Sequence, residues 1–493
     1  MKFQTLFTFF GLLGALTLIF FAAGCAGEPG MEQPTAVLST TTPPPAAAET
    51  AVPTQPPPTP TTLPFEATET AADEAADLPL DAPASSLTPE LLEATAEPFY
   101  FRDVTACGVE MPLLSDYEGP VVSSLTPDPA ALQQVLDLIP EEALPALEQL
   151  LDDPQTVGLA AYRVGDEANG VFLNENVPLP LASVVKIVHL VAYAEAVAAG
   201  ELNPTETILV EDLDRFYLPT LDLRAHEQAL EALEENGRLF GDPPAMILDE
   251  VVGMMIEFSS NAATDYLHMR LGQERIEQTA QALGLQNQTA PCPFAGQFLA
   301  MANHTRPQVS GQEALDAYLA DPPLYGQEVM QLTAAFSEDP TFHDEAIAWR
   351  TETKLPSGQT QRLFSEAFNA KGTALEYAAL MAKLALNGLD TPESSYLARQ
   401  QLEWPMRFEA NQEFFTNLAY KGGSLPGILT TVYYAYPNTG EGPLAVALFY
   451  HDLPGNTTYR QWRRTLAHDE FARWLLNEPE AIPLLRNLLE NAN

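Results

Sequence analysis

One apolar segment, residues 182–199, constrains the fold more than any other part of the sequence. It consists mainly of Val, Leu, Ile and Ala, and Gly200, a residue type that commonly ends helices, follows it. A helix that is apolar on nearly every side is buried inside a folded domain. This segment nevertheless carries a hydroxyl and an ammonium group, Ser183 and Lys186, in its first turn.

The spacing of Ser183 and Lys186 brings both side chains to one face of the helix, because positions i and i+3 are neighbours. A buried ammonium must be paired or lose its proton. A neutral lysine beside a serine hydroxyl is a general base beside a nucleophile. The alternative interpretation is that Ser183 caps the helix and Lys186 extends from a core helix toward solvent.

Two later segments carry residues of related chemistry. Ser259 and Asn261 form an S-x-N sequence after an apolar run, 245–258, that is predicted to be helical. A K-G-G-S sequence starts at Lys421 and leads into a β-rich run at residues 428–436. The three segments, in this order, resemble the S-x-x-K, S-D-N and K-T-G motifs of class A β-lactamases and penicillin-binding proteins.

The resemblance implies a serine hydrolase that works by acyl transfer. Ser183 would be the nucleophile and Lys186 its base. Ser259 would relay a proton between Lys421 and the leaving group. The backbone N–H groups of Ser183 and Ser424 would form the oxyanion hole, in which loss of one donor typically lowers the rate by about 10²–10³-fold.

The resemblance also implies substrate-binding roles for Asn261 and Gly423, beside Ser424. The sequence departs from the family pattern at Gly422, which lacks the hydroxyl that helps to bind a substrate carboxylate. No arginine follows in residues 425–436 to share that task. The departure favours a substrate other than a β-lactam.

The group that would activate water for deacylation is not identified. In class A β-lactamases a glutamate in the segment that corresponds to residues 285–370 has this role, and here the segment is long and has no clear E-x-x-L-N sequence. Glu328, Glu338 and Glu345 are candidates by position alone. Slow deacylation would make the protein behave as a penicillin-binding protein, and fast deacylation as a β-lactamase.

The expected fold is α/β (α+β) of the class A β-lactamase type. An antiparallel sheet formed by both ends of the domain would carry helices on its faces, and an all-helical lobe would be inserted between them. The active site would lie in the cleft between sheet and lobe. Predicted strands are residues 156–164, 170–174, 428–436 and 444–450, and predicted helices include 141–151, 225–236, 459–477 and 482–489.

The N-terminal hundred residues are predicted to lie outside this fold. Residues 1–25 resemble a lipoprotein signal peptide, with small residues before Cys25, the expected lipidation site. An uncleaved membrane anchor is the alternative. Residues 26–98 are rich in Pro, Thr and Ala and indicate a disordered linker, which leaves residues 99–493 as the hydrolase domain at the cell surface.

The remaining cysteines are Cys107 and Cys292. An extracytoplasmic location permits a disulfide between them, and two buried unpaired cysteines are the alternative. The formal net charge of −44 disfavours anionic partners in general. No basic patch, phosphate-binding loop or metal-ligand spacing is present, so nucleic-acid, cofactor and metal-binding functions have no support, and the sequence leaves the oligomeric state open.

Three functions remain open at this stage. The first is a lipid-anchored hydrolase of β-lactams or related amides, and the second is a D,D-peptidase or esterase that acts on a cell-wall-like acyl substrate. The third is an inactive surface binding protein that retains the fold. The presence of Ser183, Lys186, Ser259, Asn261 and Lys421 argues against the third, because a binding protein has no need of all five.

Overall fold

The computed structural model of the chain describes residues 105–492, with gaps at 112, 115–116, 220, 303–308, 353–355 and 455–457. The predicted signal peptide, Cys25 and the linker lie outside the described residues. Within the described ranges, no helix has both the length and the apolar character needed to cross a bilayer.

The described strands belong to three antiparallel sheets. They are β1 (Val157–Arg163), β2 (Val171–Leu173), β3 (Leu179–Pro180), β4 (Thr207–Leu209), β5 (Ala245–Ile247), β6 (Lys371–Gly372), β7 (Phe415–Leu425), β8 (Ile428–Pro437) and β9 (Leu444–Tyr450). Five strands form the central sheet in the order β2-β1-β9-β8-β7, while β3 pairs with β6 and β4 with β5. Strand β7, which carries the K-G-G sequence, is therefore an edge strand.

The described helices are more numerous than the strands. They are α1 (Pro129–Leu136), α2 (Leu144–Asp152), α3 (Lys186–Ala198), α4 (Val210–Asp214), α5 (Ala225–Glu235), α6 (Leu248–Gly253), α7 (Asn261–Leu271), α8 (Gln273–Ala282), α9 (Phe294–Met301), α10 (Gly311–Ala320), α11 (Pro322–Glu338), α12 (Pro340–Glu352), α13 (Gly358–Phe368), α14 (Ala374–Ala385), α15 (Pro392–Leu402), α16 (Glu409–Gln412), α17 (Thr458–Thr465), α18 (Ala467–Asn477) and α19 (Ala481–Glu490). Short 3-10 helices at Glu141–Ala143, Pro154–Thr156, Glu167–Asn169, Ala182–Val185 and Trp404–Arg407, and a π-helical turn at Met254–Phe258, complete the described helical structure.

The central sheet is buried on both faces because successive residues of its inner strands point to opposite sides. Leu159 and Leu448 face a hydrophobic cluster formed with α2, α18 and α19. Ala160 and Phe449 face the larger cluster, which contains α14 and helix α3. Full burial of a Leu or Phe side chain contributes about 1.5–3 kcal/mol relative to exposure, so this alternation fixes the register of the sheet.

Strands from both ends of the domain meet in this sheet, as predicted. Val157 of β1 pairs with Tyr450 of β9, and the helical lobe lies between them in sequence. Helix α3 is buried on every side, with only Glu195 and Ala198 outside the set of buried residues. The apolar composition of this segment therefore predicted its central position correctly.

Two predicted helices are wrong in their extent. Residues 245–258 form β5, α6 and the π-helical turn, because Ala245–Ile247 pairs with β4 through backbone hydrogen bonds. The predicted helix 459–477 is divided into α17 and α18 at Leu466, whose φ of 56° is left-handed and ends the first helix. Both breaks arise from backbone geometry that the apolar periodicity does not encode.

The long segment 285–370 forms helices α9 to α13 in the residues that are described, which leave out 303–308 and 353–355. Helix α9 packs against α7 and α11, and a small cluster of Phe336, Ala346 and neighbouring residues joins the lobe to α12. Cys107 and Cys292 form a disulfide with 5.6 Å between their Cα atoms, which fastens the start of this insert to the beginning of the described chain.

The disulfide gives a first testable expectation. In the denatured chain without reductant, Cys107 and Cys292 should resist alkylation, and reduction should add two labels at these positions. Cys292→Ser should lower the free energy of unfolding by about 2–5 kcal/mol, since the bridge restrains a long loop in the unfolded chain. Alkylation measured by peptide mass checks the first point, and denaturant unfolding checks the second. Labelling of both thiols before reduction would contradict the bridge.

Candidate active site

Ser183 lies on a tight turn that precedes helix α3. It is the second residue of the 3-10 helix Ala182–Val185, and the N–H of Ala182 donates to Asn369 Oδ1 (2.8 Å). Ala182 has a left-handed φ of 48°, an uncommon conformation for a residue with a side chain. No side-chain hydrogen bond caps this helix, so the alternative role of Ser183 as an N-cap is wrong.

Lys186 is fully buried and does not extend to solvent. Its Nζ donates to the Ser259 carbonyl oxygen (2.6 Å) and Asn261 Oδ1 (2.8 Å), and lies 3.3 Å from Ser259 Oγ. Burial lowers the pKa of Lys186 to about 7, while the charges of Asp222 and Asp265 oppose this shift. The amine therefore exists in both protonation states near neutral pH, and its neutral form can accept a proton.

Ser259 lies on a turn of unusual backbone geometry. Its φ of 68° is left-handed, and the residue directly follows the π-helical turn Met254–Phe258. Such outliers persist where surrounding structure holds them, and they concentrate at functional sites. Helix α7 then begins at Asn261, because the Ser260 side chain caps its first turn. The turn directs three oxygen atoms of Ser259 and Asn261 toward Lys186.

Lys421 reaches the same hydroxyl from strand β7. Its buried Nζ donates to Ser259 Oγ (3.0 Å) and to the Gly422 carbonyl oxygen (2.8 Å). Burial, followed by the charge of Lys186, lowers the pKa of Lys421 well below its ordinary value, while Asp469 opposes the shift. Two buried ammonium groups disfavour each other, so the hydroxyl between them can pass a proton from the charged lysine to the neutral one.

Gly423 allows the edge strand to approach the nucleophile turn. A Cβ at this position would lie 2.7 Å from the Leu181 carbonyl oxygen and 2.8 Å from the Ser183 nitrogen, so a larger residue requires movement of backbone atoms. Ser424 follows on β7, and its hydroxyl lies 2.9 Å from the Tyr459 hydroxyl. Ser183 and Ser424 lie on two segments that are in contact. The role of their N–H groups as the oxyanion hole stays a prediction.

Gly422 lies against the side chain of Tyr420. A Cβ here would collide with the hydroxyl end of Tyr420, on the face of β7 opposite Lys421. The Tyr420 hydroxyl donates to Asp469 Oδ2 (3.0 Å), which holds the ring in this position. A side chain at position 422 would therefore require the Tyr420 ring to move.

A buried carboxylate shapes the wall beside Lys186. The two oxygens of Asp265, on α7, accept hydrogen bonds from the N–H groups of Phe294 and Ala295, each at 2.7 Å. Burial raises the pKa of Asp265 to about 7, while these two hydrogen bonds and Lys186 oppose the shift. The Phe294 ring lies over the amine, with 4.6 Å between Lys186 Nζ and the ring centroid. The wall at this point is therefore apolar.

The three glutamates proposed for deacylation lie elsewhere. Glu338 and Glu345 are exposed on helices α11 and α12. Glu328 accepts a hydrogen bond from a tyrosine hydroxyl of α10 (2.5 Å). The acceptors that surround Lys186 come instead from the turn at Ser259. None of the hydrogen bonds described for Lys186, Ser259 and Lys421 involves these three glutamates.

Three residues near Lys186 were missed in the sequence: Asp222, Asp265 and Phe294. A signal existed for Asp265, because it follows Asn261 by four positions and shares a helix face with it. Phe294 opens a helix after a Pro-Cys-Pro sequence, and its place over the lysine depends on tertiary packing. No local pattern marks Asp222, which belongs to the connection between α4 and α5.

The arrangement as a whole contains the kinds of group that acyl transfer needs. It joins a serine on a fixed turn, two buried lysines with lowered pKa values, and a hydroxyl placed to carry a proton between them. The described residues contain no group of three or more His, Cys, Asp or Glu side chains that could hold a metal ion. The chemistry that these side chains themselves offer is attack by a hydroxyl with lysine as the base.

Several solved structures are similar to this chain over most of their own length, whereas no curated protein matches the sequence. A β-lactamase from Sphaerobacter thermophilus DSM 20745 is 18% identical over 66% of this chain and 92% of its own, with a TM-score of 0.39. A β-lactamase from Xanthomonas campestris pv. campestris str. ATCC 33913 is 14% identical over 65% and 90%, with a TM-score of 0.40. PBP-A is 16% identical over 71% and 98%, with a TM-score of 0.36.

The structural similarities are modest, and the family is shown by the sequence instead. The model of the beta-lactamase enzyme family matches residues 141–474, which is more than half of the 493-residue chain. The matched range includes Ser183, Lys186, Ser259 and Lys421, and it spans the central sheet from β1 to β9. The chain therefore belongs to the beta-lactamase enzyme family.

Proposed function

We propose that the protein is an active-site serine hydrolase that opens β-lactams or related amides through an acyl-enzyme on Ser183. The observation that supports it most is the position of Ser259 Oγ, 3.3 Å from Lys186 Nζ and 3.0 Å from Lys421 Nζ. Burial of two lysines against one hydroxyl costs free energy that the packing of their side chains does not offset. Clusters of this kind are typical of sites that transfer protons.

The acylation step is proposed to run as follows. Neutral Lys186 accepts the Ser183 proton as Oγ attacks the carbonyl carbon, and the oxyanion is stabilised by N–H groups of Ser183 and Ser424. The carbon–nitrogen bond then breaks. The leaving nitrogen takes a proton through the Ser259 hydroxyl, which is resupplied by Lys421 or by the protonated Lys186. The ester on Ser183 and a free amine are the products of this step.

Hydrolysis of the ester is proposed to be slow. Water that attacks the acyl group needs a base beside it, and the wall next to Lys186 is formed by the Phe294 ring. Both oxygens of Asp265 are engaged by the backbone N–H groups of Phe294 and Ala295. The protein would then hold its acyl group for a long time, as a penicillin-binding protein does.

A second candidate is a D,D-peptidase or esterase that acts on a cell-wall-like acyl substrate. The observation that favours it is Gly422, which offers no hydroxyl to a substrate carboxylate and has Tyr420 in the space of a side chain. The binding-protein alternative is weaker. A protein without turnover has no need to hold Lys186 and Lys421 in a buried environment that lowers their pKa values.

Acylation is tested by intact mass. The full chain incubated with benzylpenicillin should gain the mass of one penicillin, and Ser183→Ala should gain nothing, because the mutant lacks the attacking oxygen. The persistence of the adduct should distinguish slow release from turnover. An adduct of equal yield in Ser183→Ala would contradict Ser183 as the nucleophile. No adduct on the native chain, with penicillin left intact, would favour the peptidase or esterase.

The pH dependence of acylation tests Lys186 as the base. Its pKa of about 7 means that the neutral form grows as pH rises through this value, so the acylation rate constant should increase from about pH 6 and level off near pH 8. Lys186→Met should lower the rate constant by about 10²–10⁴-fold at the plateau. Stopped-flow or quenched mass measurements across this range give the profile. A rise only near pH 10 would show that the lysine keeps its ordinary pKa.

We also propose that the protein is a lipoprotein attached at Cys25 on the outer side of the cytoplasmic membrane. The support is the apolar segment that ends in Ala-Ala-Gly before this cysteine, followed by the Pro- and Thr-rich linker. Cys25→Ala should abolish metabolic labelling with palmitate and release or mislocalise the protein. Undiminished labelling of the mutant would overturn the assignment, with Ser183→Ala, which keeps all three cysteines, as the control that keeps its label.

A further inference from the structure

Thr430 is a buried residue of the central sheet that the proposed mechanism does not use. It lies on β8, where it pairs with Gly423 of β7 on one side and with Phe449 of β9 on the other. Its hydroxyl donates to the Leu181 carbonyl oxygen (2.8 Å), two residues before Ser183. A side chain of the sheet is therefore bonded to the turn that carries the nucleophile.

This contact exists because Gly423 has no side chain. A Cβ at this position would collide with Thr430 Oγ1. It would also lie 2.7 Å from the Leu181 carbonyl oxygen and 2.8 Å from the Ser183 nitrogen. The three atoms thus surround the space that a side chain at position 423 would fill. The glycine brings the Thr430 hydroxyl and the nucleophile turn together.

The peptide group between Leu181 and Ala182 is held at both ends. Its carbonyl oxygen accepts the Thr430 hydroxyl, and its N–H donates to Asn369 Oδ1 (2.8 Å). Thr430 and Asn369 are both buried, and hydrogen bonds in such surroundings are stronger than in water. One of the two bonds comes from the sheet, and the other comes from the residue that directly follows α13.

This peptide group precedes the strained residue of the turn. Ala182 has a left-handed φ of 48°, and its rotation toward a negative φ would turn the next peptide group relative to the one that is held. The next peptide group carries the Ser183 N–H, for which the described residues provide no hydrogen-bond acceptor. The direction of this N–H therefore depends on the two bonds that hold the preceding peptide.

We propose that Thr430 and Asn369 are positioning residues that direct the Ser183 N–H toward the oxyanion formed during acylation. The inference rests on the proposed function, because it takes this N–H as one donor of the oxyanion hole. Neither side chain transfers a proton. Their hydrogen bonds fix the donor before the reaction, so little reorganisation is needed when the negative charge develops.

A matched pair of substitutions in the full chain tests Thr430. Thr430→Val keeps the shape of the side chain and removes the hydroxyl, whereas Thr430→Ser keeps the hydroxyl. In Thr430→Val the rate constant of acylation by benzylpenicillin should fall by about 10–100-fold, because the donor is misdirected but not lost. The dissociation constant that precedes acylation should change by about twofold at most. Thr430→Ser should stay within about threefold of the native rate constant.

Two further measurements separate positioning from a general loosening of the site. Phenylboronic acid forms a tetrahedral, negatively charged adduct with the Ser183 oxygen, so its affinity should fall in Thr430→Val by about the same 10–100-fold. The midpoint of the pH profile of acylation, near pH 7, should not move, because the hydrogen bonds of Lys186 do not involve Thr430.

Thr431→Val is the control for the sheet. It makes the same chemical change one residue later on β8, where the side chain points to the opposite face, so acylation and boronate affinity should stay near the native values. Asn369→Leu removes the acceptor at the other end of the held peptide. It should reproduce both losses, which gives a second test if Thr430→Val does not fold.

Equal losses in Thr430→Ser and Thr430→Val would overturn the positioning role, as would an unchanged boronate affinity in Thr430→Val or a displaced pH midpoint. If benzylpenicillin does not acylate the native chain, the proposed reaction with β-lactams is wrong, and boronate affinity still tests Thr430. A native chain that does not bind the boronate would overturn the positioning role as well, because Ser183 would then have no formed oxyanion hole.

Discussion

The burial of two ammonium groups against one serine hydroxyl is the constraint on which the rest of the site depends. Removal of a charge from water costs several kcal/mol unless acceptors replace the lost hydration. Lys186 meets three oxygen atoms within 3.3 Å, and Lys421 meets two within 3.0 Å. These acceptors come from a helical turn and an edge strand, so the electrostatic balance is kept only when sheet and lobe are in place.

The same balance explains the left-handed turn at Ser259. In the left-handed conformation of this residue its carbonyl oxygen accepts the shortest hydrogen bond of the Lys186 amine, 2.6 Å. The strain of a left-handed residue costs about 1–3 kcal/mol, which is less than an unpaired buried charge. Asp265 also supports this arrangement, since its hydrogen bonds order the start of α9, where the Phe294 ring lies over the amine.

The parts of the site that the sequence predicted are those encoded by local spacing. The apolar segment around Lys186 predicted a buried helix, and the order of the three motifs predicted which elements would meet. The sheet formed by both ends followed from the positions of its strands. Asp222 and Phe294 could not be found in this way, because their contacts depend on packing between segments that are distant in sequence. The split of residues 245–258 into a strand, a helix and a π-helical turn depends on pairing with β4, which periodicity does not report.

The pairing of β1 with β9 has a consequence for how the chain reaches its folded state. The middle of the sheet cannot form until the last strand has been synthesised, and long-range pairing of this kind slows folding. Until then β1 presents an unpaired edge and an apolar face, both of which favour aggregation. Helix α3 likewise packs against α15, about 200 residues later in the sequence, so the helices between β1 and β9 also depend on distant segments. We therefore expect the chain to be prone to aggregation until its C-terminal part is available.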